Sequence, residues 1–225
     1  MITTKKCRIK NWDESNISPL QMIRDRILID QNSINFVVDQ LNSKKINRRF
    51  HDEPKRIVNS LIRACHGSLG MYASTNTGCL YYEDGTSKKD TTVEHTVPVS
   101  ILIDMYLNSD GFKSLGGLQS LGFLLFFPVC LLSKSSNDKL KDFSKTNEDI
   151  KHPFRRYLMA GIDNQILDHT GRKIDLEKFT IRDHFSLVEE TSDPRSSHYS
   201  KEFSEVFNYF KVKDEYLKLI QSLQV

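Results

Sequence analysis

The chain holds few of the features that announce a function at once. Its four cysteines, Cys7, Cys65, Cys79 and Cys130, form no CxxC pair. That spacing excludes a zinc ribbon and a dense disulfide frame, so reduced thiols and a cytoplasmic location are expected. The first residues, MITTKKCRIKNWDESN, carry no apolar signal core, and secretion is not expected. No long hydrophobic run is present either: the most apolar stretch, 121–132, is broken by Pro128. It is too short for the ~20 residues that span a bilayer, so it reads as buried core and no membrane partner is expected. Internal repeats and low-complexity segments are absent. Neither sign of charge dominates, with 32 Lys and Arg against 29 Asp and Glu. The resulting net charge of +3 is compatible with a polyanionic partner but does not demand one.

What remains is an ordinary globular composition, 38% hydrophobic and 27% charged over 225 residues, enough for one good core. The spacing predicts a single domain, 1–225, in three regions. In the first, 1–70, Ser18-Pro19 opens a helix to about Asp30, Ser33 caps a second, and Asp52-Glu53-Pro54 opens a third, ended by Gly67 and Gly70. The second, 71–145, changes character. GCLYYEDG, TTVEHTV and PVCLLSK read as short strands, and SSNDKLKDF as a short helix with Leu140 and Phe143 on one side. A helix near Ile101–Leu107 and a Gly116-Gly117 joint lie in an insertion at about 99–127. In the third, 146–225, a helix begins at Arg155-Arg156, LDHTGRK is a turn, EETSDPRSSH is a loop, and one closing helix runs from about Ser200. The fold class expected is α+β, mostly helical around a small core of antiparallel strands and one helix.

The chemistry concentrates in two segments. VEHTVPVS places Glu94 beside His95 with Pro98 three residues on, and CLLSKSSNDKL runs from a strand into a helix carrying Asn137. On a regular strand neighbouring side chains point to opposite faces, so Glu94 and His95 can serve one site only at a strand end or loop. A carboxylate and an amide oxygen make a hard, incomplete oxygen set suited to one Mg²⁺ or Mn²⁺, with water and phosphate completing it. An imidazole, with its ordinary pKa of ~6.5, can take a proton from water near neutral pH.

These two segments resemble the acidic-His-x-x-Pro and strand-to-helix signatures of the HNH endonucleases, the ββα-metal nucleases, over about fifty residues. The resemblance implies Glu94 as first metal ligand, His95 as general base and Asn137 as second ligand. It implies DNA as the partner, in a restriction-type or phage-type role, with 5′-phosphate and 3′-hydroxyl products. A symmetric dimer would follow if the cut sites are palindromic. Lys134, Lys139, Lys141, Arg155 and Arg156 lie near the expected site and are candidates to contact phosphates.

The chain also departs from the family pattern. The middle Asn that braces the His-bearing loop has no counterpart, since its place falls at Phe127-Pro128. Either another residue, such as Asn108 in the insertion, supplies the brace or the Asn137 assignment is wrong. The cysteine pairs that flank many such sites are missing. Asn147, Asp149 and His152 form a rival ligand cluster, read more simply as caps of a helix near Pro153. His51, His66, His169, His184 and His198 read as structural, and Lys44-Lys45 with Arg48-Arg49 is a second basic cluster. Two other functions stay open: nucleic-acid binding without cleavage on a decayed nuclease scaffold, and a metal-independent ribonuclease using Arg63 and His66.

Overall fold

A computed structural model describes residues 19–43, 52–72, 80–86, 90–108, 122–162 and 166–223. Two long helices lead, α1 (Pro19–Asn42) and α2 (Glu53–Tyr72). Strand β1 (Tyr81–Glu83), strand β2 (Thr91–His95), helix α3 (Val99–Asn108) and strand β3 (Val129–Ser133) follow. Helix α4 (Lys134–Lys139) continues directly from β3 and ends in a 3₁₀ turn at Leu140–Asp142. Short helices α5 (Glu148–Lys151) and α6 (Arg155–Met159) precede strand β4 (Ile166–Asp168). Three helices close the described chain: α7 (Ile181–Ser192), α8 (Lys201–Tyr209) and α9 (Val212–Leu223). The α+β class expected from sequence is what forms. No described helix is long and apolar enough to cross a membrane.

The four strands form one sheet in the order β2-β3-β1-β4, so β2 lies on its edge. β2 and β3 pair antiparallel with Glu94 opposite Cys130 and His95 opposite Val129, whereas β1 and β3 run parallel. The expected all-antiparallel core is therefore a mixed sheet. Its fourth strand also comes from beyond residue 145, because β4 pairs with β1 at Tyr81↔Asp168. Neighbouring residues alternate faces. Cys130, Leu132, Tyr81 and Ile166 join the main core, and Val129 and Leu131 pack with Tyr82 on the other side. The main core runs without a break from Ile23 on α1 to Leu219 on α9. Its aromatic centre stacks Phe123 on Phe185 and Phe185 on Tyr216, with ring centroids 5.3 and 4.6 Å apart.

Several local expectations change once packing is added. α1 is one helix rather than two, because the Ser33 hydroxyl bonds back to the Ile29 carbonyl at 3.0 Å instead of capping a new start. α2 continues through Gly67 and Gly70 to Tyr72. The closing helix breaks in two at Phe210-Lys211, where Lys211 takes φ 50°. Helix α7 claims residues up to Ser192 that read as loop, started by a reciprocal Thr180–Asp183 capping box. Gly116-Gly117, His51 and the 44–49 basic cluster lie outside the described residues, as do the side chains of His66 and Asn108.

Candidate functional site

β2 is regular up to its last residue, His95, after which the Thr96 amide still bonds the Pro128 carbonyl at 3.1 Å. Pro98 then accepts the first amides of α3, so the chain turns from strand to helix within three residues of His95. The Pro thus ends the strand, as its missing N–H dictates. Glu94 shares the face of Cys130, toward the helices, and His95 shares the opposite face with Val129. The structure does not bring the two side chains to one face of the sheet. It sets them on either side of the edge strand, at its end. His95 is 6% exposed.

α4 lies on the Glu94 side. Its position is fixed by Glu83, a buried carboxylate on β1 that accepts the Ser133 amide at 2.6 Å and the Ser136 hydroxyl at 2.5 Å. Ser133 caps the helix by accepting the Ser136 amide at 3.2 Å, and Leu140 just beyond joins the main core. α4 touches both β2 and β3. Asn137 is half-buried in the middle of it, and its side chain makes no hydrogen bond among the described residues. Lys134 and Lys139, at the two ends of α4, are exposed and in no ion pair among the described residues. Sequence reasoning missed Glu83, because an acid before an Asp-Gly turn looks like surface and nothing local marks it as buried.

Behind Glu94 stands a charge network drawn from α5 and α6. Arg156 is 2% exposed and its Nη2 donates to Glu94 Oε1 at 3.1 Å and to the His95 carbonyl at 3.2 Å. Arg156 Nε lies 3.9 Å from Asp149 Oδ2. Asp149, fully buried, accepts Arg155 Nε at 3.0 Å and the Thr146 amide at 3.0 Å. Arg155 also donates to the Ser144 carbonyl and the Thr146 hydroxyl, at 3.2 and 3.0 Å.

The expectation for the two arginines changes here. Arg156 does not offer its guanidinium to a phosphate at the surface, because burial turns it inward on Glu94 and His95, and most of Arg155's donors are spent within the fold. In the rival cluster of Asn147, Asp149 and His152, Asp149 accepts Arg155 Nε and the Thr146 amide. Asp149 stands in the first turn of α5, whose N-cap is Asn147, rather than capping the helix after Pro153, and His152 is exposed. Among the described residues no cluster of three or more His, Cys, Asp and Glu is placed to hold a metal ion.

Of the histidines read as structural, the side chains of His169, His184 and His198 are described. His184 is fully buried, with Nδ1 2.8 Å from the Tyr81 hydroxyl and Nε2 2.6 Å from the Phe126 carbonyl. Since that carbonyl can only accept, the neutral ring carries its proton on Nε2 and Tyr81 donates to Nδ1. Burial, helped by the Asp168 carboxylate, holds the Tyr81 phenol well above its ordinary range. His169 packs edge-on against His198, rings 5.3 Å apart, and burial pulls its pKa down. Arg63, exposed on α2, donates to Asn59 at 2.8 Å.

No protein-family model, curated protein or solved structure matches this chain.

Proposed function

We propose that the protein is a metal-dependent endonuclease of the HNH type that hydrolyses phosphodiester bonds in DNA. The observation that carries the reading is the antiparallel β2–β3 pair with β3 running straight into α4, Glu94-His95 at the end of the edge strand and Asn137 on the helix that touches both strands.

The donor set fits one hard divalent ion. Arg156 holds Oε1 of Glu94, Oε2 has no hydrogen bond among the described residues, and the Asn137 amide is likewise uncommitted. Glu94 and Asn137 would hold Mg²⁺ or Mn²⁺, with water and the phosphate filling the shell. Bound there, the ion supplies charge neutralisation of the phosphate and of the leaving 3′-oxygen. In this reading His95 is the group that would take the proton of the attacking water. Lys134 and Lys139 flank the strand-helix junction and provide sequence-independent attraction for the backbone.

A second reading rests on the same ion pair. Glu94 is then only the counter-charge of a buried arginine, and the chain binds nucleic acid without cutting it. Digestion of supercoiled plasmid separates the two. The nuclease reading expects nicking with Mg²⁺ that stops with EDTA and falls at least a hundredfold in His95→Ala, as loss of a general base predicts. Binding that no divalent ion converts to cleavage refutes it. Cleavage that ignores His95→Ala refutes it too.

A further inference from the structure

We infer that Arg156 is a positioning residue that locks Glu94 and His95 into one geometry from beneath the strand, an inference that rests on the nuclease reading above. Charged side chains are almost never fully buried unless paired, and Arg156 is 2% exposed. Its pairing is unusual in direction. Asp149, the obvious counter-charge, is already held by Arg155 at 3.0 Å and lies 3.9 Å from Arg156. The short contacts of Arg156 go instead to two consecutive residues of β2, the Glu94 carboxylate at 3.1 Å and the His95 carbonyl at 3.2 Å.

Both contacts come from the same Nη2, whose two N–H bonds lie in the guanidinium plane at a fixed angle. One nitrogen therefore sets where the carboxylate points and where the backbone of His95 sits. That backbone carries the imidazole. The network behind is rigid in turn, since Asp149 ties α5 to α6 through Thr146 and Arg155. Arg156 takes one oxygen of Glu94 and leaves the other, so the carboxylate is oriented without being consumed. A lysine would deliver the same charge as a rotatable point and lose the fixed angle. Because the guanidinium is enclosed, it touches no substrate and its effect must pass through Glu94 and His95.

The test compares the full-length wild type with Arg156→Gln, Arg156→Lys and Leu219→Ala, the last a core residue far along the chain that loses stability without touching the site. Three readouts are taken: kcat and KM on a duplex, Mn²⁺ affinity by electron paramagnetic resonance, and hydrogen exchange of the β2 amides in metal-free protein. Arg156→Gln is expected to lower kcat and Mn²⁺ affinity about 10–100-fold, the usual effect of removing an outer partner of a metal ligand. KM should stay within about twofold, and exchange at residues 94–96 should quicken more than in Leu219→Ala. Arg156→Lys should recover part of the Mn²⁺ affinity and less of kcat.

If Arg156→Gln does not fold, the paired variant Asp149→Asn with Arg156→Gln removes both buried charges and carries the comparison. The inference is overturned if kcat and Mn²⁺ affinity of the Arg156 variants match those of Leu219→Ala. A rise in KM at unchanged kcat also overturns it, because that is the mark of a direct phosphate contact. A wild type that neither binds Mn²⁺ nor cleaves takes down the nuclease reading and this inference with it. An active wild type with indifferent Arg156 variants takes down this inference alone.

Discussion

Removing Glu83 should unfasten α4 from the sheet. Its carboxylate is 5% exposed and answers two donors, the Ser133 amide at 2.6 Å and the Ser136 hydroxyl at 2.5 Å. A hydrogen bond to a charged group contributes about 1.5–3 kcal/mol. Ser133 is only half-buried, so water can reach its amide in the variant and the low end applies. Two such bonds give about 3 kcal/mol for Glu83→Ala. In a chain of this length that loss lowers Tm by roughly 6–12 °C. Glu83→Gln keeps one accepting oxygen for Ser133 and offers Ser136 an amide donor, so it should lose only about 1 kcal/mol. Urea unfolding followed by far-UV circular dichroism measures both. The same variants test the link to the site, because a loosened α4 N-terminus displaces Asn137, and Glu83→Ala should weaken Mn²⁺ binding even where the protein is fully folded. A Glu83→Ala protein within about 0.5 kcal/mol of wild type would refute the reasoning, since surface changes alone stay in that range.

Gly122→Ala should be costly, because a Cβ there would lie 2.1 Å from the ring of buried Phe210. Overpacking of this kind destabilises by about 1–3 kcal/mol, readable in the same urea titration. His184→Phe strips partners from the Tyr81 hydroxyl and the Phe126 carbonyl. It should cost about 2–4 kcal/mol, and Tyr81→Phe about 1 kcal/mol, by chemical denaturation. The pH dependence of Tm should carry the mark of His169. Burial and the neighbouring His198 favour its neutral ring in the folded protein, against the opposing pull of Asp168 and Glu190, so its folded pKa lies below the ordinary 6.5. A depressed folded pKa means this contribution is complete above pH 6.5 and is lost as pH falls below it. Melting scans from pH 8 to 5 should fall on the acid side, and His169→Gln should flatten that fall.

The legible parts of the fold are those written locally. β2 and β3 stand out as β-branched and apolar runs, and α4 is announced by Ser133 as cap and Leu140 as anchor. The parallel pairing of β1 with β3 is not legible, because it joins residues some fifty positions apart and depends on what both strands bury. β4 has only three residues, too few for an alternating pattern to show. Its turn is legible, since Asp168 accepts from the Thr170 and Arg172 amides around Gly171. α7 carries a local signal, the Thr180–Asp183 box, inside a stretch whose charged residues look like loop.

For the site the division is sharper. Glu94, His95 and Asn137 are the candidates that sequence can propose, because their neighbours form recognisable segments. Arg156, Asp149 and Glu83 cannot be assigned their roles that way, because a buried charge is indistinguishable from a surface one until its partner arrives from elsewhere in the chain. Arg156 reads as a surface cation beside Arg155, and its place against Glu94 is set by a partner sixty-two residues away in the chain.

The central claim is that Glu94 and Asn137 share a divalent ion beside His95. Crystals soaked in Mn²⁺ and measured at the manganese absorption edge test it directly. One anomalous peak within coordination distance of a Glu94 oxygen and the Asn137 amide oxygen, with the His95 ring within reach of the ion's water or phosphate side, is the expected result. Manganese bound elsewhere, or none at saturating concentration with the Glu94–Arg156 pair intact, contradicts the account.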